Sequence, residues 1–140
     1  MKNTTQLGSL GESKVITKLI ELGFNVFVPA FDRNERFDLI ASKDNLLYKI
    51  SVKTTSRGKY NGYDVGLRSC RSNTKGTKIR HFDVSDCDIV AVYILPLDVV
   101  CFIKSIELVP KSTFRIRSNL SNHYNGRRQW VVTDYLDFPS

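Results

Sequence analysis

The alternation of apolar and polar positions across residues 36–54, RFDLIASKDNLLYKISVKT, predicts two short strands joined by a tight turn. Phe37 to Ser42 forms the first strand, Lys43-Asp44-Asn45 the turn, and Leu46 to Thr54 the second. Asp and Asn tolerate the left-handed backbone that such turns need. Successive side chains of a strand point to opposite faces. Leu46, Tyr48, Ile50 and Val52 therefore make an apolar face, and Lys49, Ser51 and Lys53 a polar one. The polar face brings Lys53 close to the level of Asp38 on the neighbouring strand. An aspartate on one strand and a lysine on the next can hold a metal ion and a cation against one phosphate.

Upstream, residues 3–8 read as a loose polar lead-in. Thr5 or Ser9 can cap a helix running to about Leu22, with Gly23 ending it. Val15, Ile16, Leu19, Ile20 and Leu22 form its apolar side. Glu12 lies four residues before Ile16 and seven before Leu19, so it continues the apolar stripe toward the helix start. Two readings stay open for this acid. Either it interacts with the helix dipole in the first turns, or it points into a polar pocket at the sheet edge. Phe24 to Pro29 is the next strand, and Ala30 to Glu35 a polar loop.

Downstream, Asp88 to Leu95 is almost wholly apolar and predicts a buried central strand. Pro96-Leu97-Asp98 turns the chain, and Val99 to Ile103 returns as a strand. Ser105 to Val109 is a single helical turn ended by Pro110. Phe114 to Arg117 alternates as a short strand with Arg115 and Arg117 on one side, and Asn119 to Arg128 is a polar, basic loop. Gln129 to Phe138, with Trp130, Val131 and Tyr135, reads as a closing helix; the β-branched run Val131-Val132-Thr133 keeps a strand open as the alternative. The order predicts an α/β architecture: a mixed central β-sheet flanked by helices.

A length of 140 residues fits one domain with a real core. A formal charge of +7 favours a polyanionic partner, most simply nucleic acid. The charge gathers between Ser56 and Arg80. There Arg57, Lys59, Arg68, Arg71, Lys75, Lys78 and Arg80 interleave with Tyr60, Tyr63 and four glycines, and Asp64 is the only acid. This predicts a long basic hairpin or flap that grips a phosphate backbone; the plainer alternative is a solvated basic loop. Cys70, Cys87 and Cys101 are odd in number and show no paired spacing. They fit core filling in a reducing, cytoplasmic setting rather than disulfides or zinc. No apolar run reaches membrane-spanning length, and no signal-peptide layout is expected. His81 and His123 lack metal-ligand spacing, and no P-loop, GxGxxG or serine elbow occurs.

Glu12, Asp38 and Lys53, with Ser51 two positions before the lysine, follow the layout of the PD-(D/E)XK nuclease core. The segment from Gly11 to Thr54 resembles the branch that includes bacterial group I intron homing endonucleases. A helix with glycine and glutamate, a Gly-Phe-x-Val strand, a proline, a polar loop, a Phe-Asp-Leu strand and a Val-Lys-Thr strand follow one another in that order. The basic hairpin, the apolar strand after it, the Phe-Arg-x-Arg stretch near Arg115 and the aromatic end also look similar. The resemblance implies a restriction-endonuclease-like core and metal-assisted hydrolysis of phosphodiesters in double-stranded DNA.

In that scheme Asp38 binds Mg²⁺, or Mn²⁺ as a substitute, together with a main-chain carbonyl near Val52. Glu12 holds a water or a second ion, and Lys53 stabilises charge at phosphorus or polarises the attacking water. Arg115 and Arg117 join the basic hairpin as DNA contacts. One position departs from the pattern: Ser51 stands where the superfamily has Glu or Asp and the homing branch commonly Gln. It either orients a metal-bound water or marks a disabled site. Three readings follow: a site-specific homing endonuclease, a nuclease resembling Holliday-junction resolvases, and an inactive DNA-binding module. Either nuclease is expected to act as a homodimer or homotetramer, because one chain carries one site and two strands must be cut.

Overall fold

The amphipathic N-terminal stretch becomes helix α1 (Thr4–Glu21) in the computed structural model, which describes residues 3–31, 35–73, 76–109, 111–119 and 128–139, with backbone alone for those between 69 and 79. The helix starts earlier than the expected caps. Asn3 caps it: the Asn3 side chain accepts the Gln6 N–H at 2.8 Å, and the Gln6 side chain accepts the Asn3 N–H at 3.1 Å. This reciprocal box satisfies two main-chain donors. The residues read as a loose lead-in are its first turns. Gly23 ends the helix as expected, at φ +91°. Two internal glycines, Gly8 and Gly11, each disfavour the helix by about 1 kcal/mol relative to Ala. Burial of Val15 and Leu19, both fully buried, contributes about 1.5–3 kcal/mol each. Packing therefore holds α1 more than local preference does.

The strands are β1 (Asn25–Phe27), β2 (Leu39–Lys43), β3 (Leu46–Thr55), β4 (Gly62–Gly66), β5 (Ser69–Asn73), β6 (Gly76–Arg80), β7 (Ile89–Ile94), β8 (Val99–Lys104), β9 (Thr113–Arg117) and β10 (Trp130–Val131). A five-stranded mixed sheet runs in the order β1-β2-β3-β7-β8. Only the β3–β7 pair in it is parallel. The turn between β2 and β3 is the predicted one, with Asp44 at φ +53° and Asn45 at φ +66°, the left-handed pair of a two-residue hairpin.

A second sheet was not expected. β10, β9 and β4 form three strands that pack on the face opposite α1. The predicted long basic hairpin divides accordingly: β4 joins this second sheet, and only β5 and β6 form a free-standing two-stranded ribbon. The central sheet is thus buried on both sides. Val90, Val92, Ile94, Cys101 and Ile103 meet Val65, Phe114, Ile116 and Trp130 on one face. Leu39, Ala41, Ile50, Ala91 and Phe102 meet Val15 and Leu19 on the other. All six residues of β7 are buried, which explains its unbroken apolar run.

The closing α-helix is absent, and α1 is the only α-helix among the described residues. Trp130 and Val131 pair in parallel with Ile116 and Arg117, and a 3₁₀ turn spans Val132–Asp134. The strand alternative holds only for Trp130 and Val131, while Val132 and Thr133 of the β-branched run lie in the 3₁₀ turn. The turn after Lys104 is a 3₁₀ turn, Ser105–Glu107. Pro110 and nearly all of the basic loop after Asn119, His123 included, lie outside the described residues. Cys87 and Cys101 are free and buried, as expected of core fillers. Among the described residues no helix is long and apolar enough to cross a membrane.

Candidate active site

Pairing between β2 and β3 stops at Leu39 and Ile50. Asp38 stands just beyond that end. Its N–H donates to the Ile50 carbonyl at 2.8 Å, and its Oδ2 accepts the Val52 N–H at 2.6 Å. One carboxylate oxygen thereby replaces a ladder bond and is fixed in place. The N–H and C=O of a strand residue point to the same side, so the Val52 carbonyl opens toward Asp38 as well. Lys53 follows, half-buried, and makes no ion pair among the described residues.

Helix α1 reaches this strand end because residue 11 has no side chain. A Cβ on Gly11 would lie 1.9 Å from Thr54 Oγ1. The close approach delivers the next residue, Glu12, beside Asp38. Glu12, Asp38, Val52 and Lys53 line one cavity of about 300 Å³, together with Thr54 and the first turns of α1. Burial, and then the neighbouring Asp38 carboxylate, push the Glu12 carboxyl above its ordinary range. The long helix settles the two readings of Glu12. It sits in the third turn, too far from the N-terminus for the dipole, and faces the polar pocket.

Two like-charged carboxylates and a convergent main-chain carbonyl on one open cavity are oxygen donors that suit a hard divalent cation. Among the described residues no group of three or more His, Cys, Asp or Glu could hold a metal. Water and a phosphate would supply the remaining positions of such a shell. The donor set therefore fits the implied ion. Ser51 differs from its companions: it is 7% exposed and does not line the cavity. The face of β3 read as polar is covered at this point by the second layer of the fold.

The expected DNA contacts separate into groups. Arg57, Lys59 and Arg68 are exposed, and Tyr60 is 89% exposed. Tyr63 is half-buried against the core. Arg115 bonds Asp64 at 2.9 Å across the β4–β9 pair. Arg117 is buried, unlike its exposed counterparts. Lys75 and the side chains of Arg71 and Lys78 lie outside the described residues. Arg80, at the ribbon's root, reaches Asp86 at 3.1 Å. Sequence reasoning passed over that aspartate. Asp86 is 8% exposed and also accepts Arg36 at 3.0 Å and the Asp83 N–H at 3.0 Å. It ties the ribbon to the segment that leads into Asp38. Gly11 entered the sequence reading only as part of the helix motif, and its close approach to Thr54 was not anticipated.

This geometry, a mixed sheet whose central hairpin end gathers an aspartate, a lysine and a helix-borne glutamate, is that of a PD-(D/E)XK nuclease. The chain belongs to the PD-(D/E)XK endonuclease family, whose profile matches residues 2–135. Nucleases of this family generally use divalent metal ions. Among solved structures the fold is similar to that of a bacterial homing endonuclease, I-Ssp6803I, at 20% identity and a TM-score of 0.74, covering 96% of this chain and 88% of that one. No curated protein matches the chain.

Proposed function

We propose that this protein is a homing-type DNA endonuclease that makes site-specific double-strand breaks by metal-dependent hydrolysis. The observation that carries the proposal is the meeting of Glu12, Asp38 and Lys53, from three separate segments, on one cavity at the end of β2 and β3. Asp38, Glu12 and the Val52 carbonyl would hold Mg²⁺, with Mn²⁺ as a substitute, and the ion would supply positive charge at the scissile phosphate. Asp38 is presented rigidly because one of its oxygens is already fixed by Val52. Glu12 accepts a hydrogen bond from a water and orients it. Lys53 places an ammonium beside the phosphate and offsets the negative charge that grows there on attack.

Ser51 lies away from the cavity, which supports a site that works without an acid at that position. The basic loops beyond β3 supply phosphate contacts on duplex DNA. The whole chain acts as one domain in the cytoplasm. It carries one site for two strands, so the working form is a homodimer or homotetramer.

Asp38→Ala tests the assignment. Its carboxylate opposes DNA electrostatically, so binding to duplex persists while cleavage falls by at least about 100-fold. An Asp38→Ala protein that cuts like the parent removes the site from consideration.

A further inference from the structure

Seven residues after Lys53 the chain makes a turn that no packing explains. Lys59-Tyr60-Asn61-Gly62 closes through a Gly62 N–H to Lys59 carbonyl bond of 3.1 Å, with Tyr60 at φ +55° and Asn61 at φ +59°. Left-handed backbone at both central positions defines a type I′ turn, whose first central position favours Asn, Asp or Gly. A bulky aromatic is out of place there. Tyr60 is nonetheless 89% exposed. Among the described residues its ring has no aromatic or hydrogen-bonding partner inside the protein.

The turn is not loose. Thr55, 5% exposed and two positions beyond Lys53, donates to the Asp64 carbonyl at 2.8 Å and to the Arg57 carbonyl at 3.4 Å. The Asp64 N–H bonds the Arg57 carbonyl at 3.2 Å, and the Ser118 N–H bonds the Asn61 carbonyl at 2.8 Å. A Cβ on Gly58 would fall 1.5 Å from the Gly62 carbonyl oxygen, so the two limbs of the loop touch. The strand that carries Lys53 thus continues into a braced tip. That tip offers a bare aromatic ring flanked by the exposed cations Arg57 and Lys59.

We propose that Tyr60 is a stacking wedge: its ring inserts at a base step of duplex DNA beside the scissile phosphate, while Arg57 and Lys59 hold the flanking phosphates. The inference rests on the DNA reading of the site and adds to it the element that positions the duplex. Local strain and exposure are the features of a residue kept for an external ligand. A ring between cations on a polyanion-binding face matches bases between phosphates. The bracing through Thr55 fixes the wedge relative to Lys53, so insertion sets which phosphodiester reaches the cavity.

The test uses the full chain with sheared duplex DNA in metal-free buffer, where binding is read without cleavage. Tyr60→Asn removes the ring and suits the left-handed backbone, so it keeps the fold. It is expected to weaken binding by about 5- to 150-fold, with an unchanged salt dependence. Tyr60→Phe retains parental affinity. Lys59→Ala instead lowers the salt slope by about 1. Tyr60→Trp adds an exposed indole to the buried Trp130, and its emission is quenched on binding by stacking with bases. Unquenched emission, with Tyr60→Asn binding like the parent, overturns the wedge while the nuclease reading stands. Failure of the parent to bind duplex at all overturns both.

Discussion

Helix α1 meets β3 at Gly11, and that contact sets the distance between Glu12 and Asp38. An alanine at position 11 would place its Cβ 1.9 Å from Thr54 Oγ1 and 3.2 Å from Thr54 Cβ. Non-bonded heavy atoms settle at about 3.5–4.0 Å, so roughly 1 Å or more must open along this line. Thr54 has little freedom to yield. It is β-branched: one of its two other rotamers puts its methyl group where the hydroxyl was, and the one that puts a hydrogen there still leaves the two Cβ atoms 3.2 Å apart.

The helix therefore shifts, and Glu12 goes with it. The alanine returns about 1 kcal/mol of helix preference, against about 1–3 kcal/mol for overpacking. The net destabilisation is at most about 2 kcal/mol, or a Tm lower by no more than about 8 °C. A 1 Å displacement of a positioned group lowers a rate by about 100-fold. Single-turnover cleavage and thermal melts, read together on Gly11→Ala, Thr54→Ala and the double variant, separate the two effects. The expected pattern is a folded Gly11→Ala protein that cuts about 100-fold more slowly, with Thr54→Ala recovering at least about tenfold in that background. A folded Gly11→Ala protein that cuts within about threefold of the parent would refute the claim that this contact positions Glu12.

Other outcomes follow from the same geometry. Glu12 has its carboxyl raised above the ordinary carboxylate range, first by burial and then by Asp38. Folding thus favours its protonated form. The stability this contributes is complete below the unfolded pKa and lost as pH rises through the higher folded value. Without metal, Glu12→Gln is therefore expected to raise Tm at pH 7 but not near pH 4, while abolishing cleavage; thermal melts across pH check the sign. Mg²⁺ should raise the Tm of the parent more than that of Glu12→Gln. Asp86→Ala removes charge-assisted bonds to Arg36 and Arg80. Because both arginines reach solvent, the loss is about 2 kcal/mol, read as a lower urea midpoint with an unchanged slope. It should also weaken duplex binding, since the root of the ribbon comes loose.

The hairpin of β2 and β3 was legible because its chemistry is local: Asp44 and Asn45 sit where left-handed backbone is needed. β7 was legible because burial on both faces leaves an unbroken apolar run. The start of α1 was not legible. Thr4, Thr5 and Gln6 bury nothing, so periodicity is silent there, and only the Asn3–Gln6 spacing carried a signal. The closing segment misled because Trp130, Val131 and Tyr135 fit several periods, and the pairing of Trp130 with Ile116 that decides the matter is long-range. Asp38 and Lys53 could be placed from neighbouring strands. Glu12 could not, since its direction depends on how close the helix comes to Thr54. The partners Asp64 for Arg115 and Asp86 for Arg36 lie about 50 positions away, and no local pattern announces them.

The most direct measurement is cleavage of a randomised duplex library in Mg²⁺, read by sequencing the ends. The parent should yield discrete cut sites, and Asp38→Ala and Lys53→Ala should yield none, with binding retained in both. An uncut library with the parent and with Ser51→Gln alike, despite binding, would contradict the assignment of nuclease activity to this cavity.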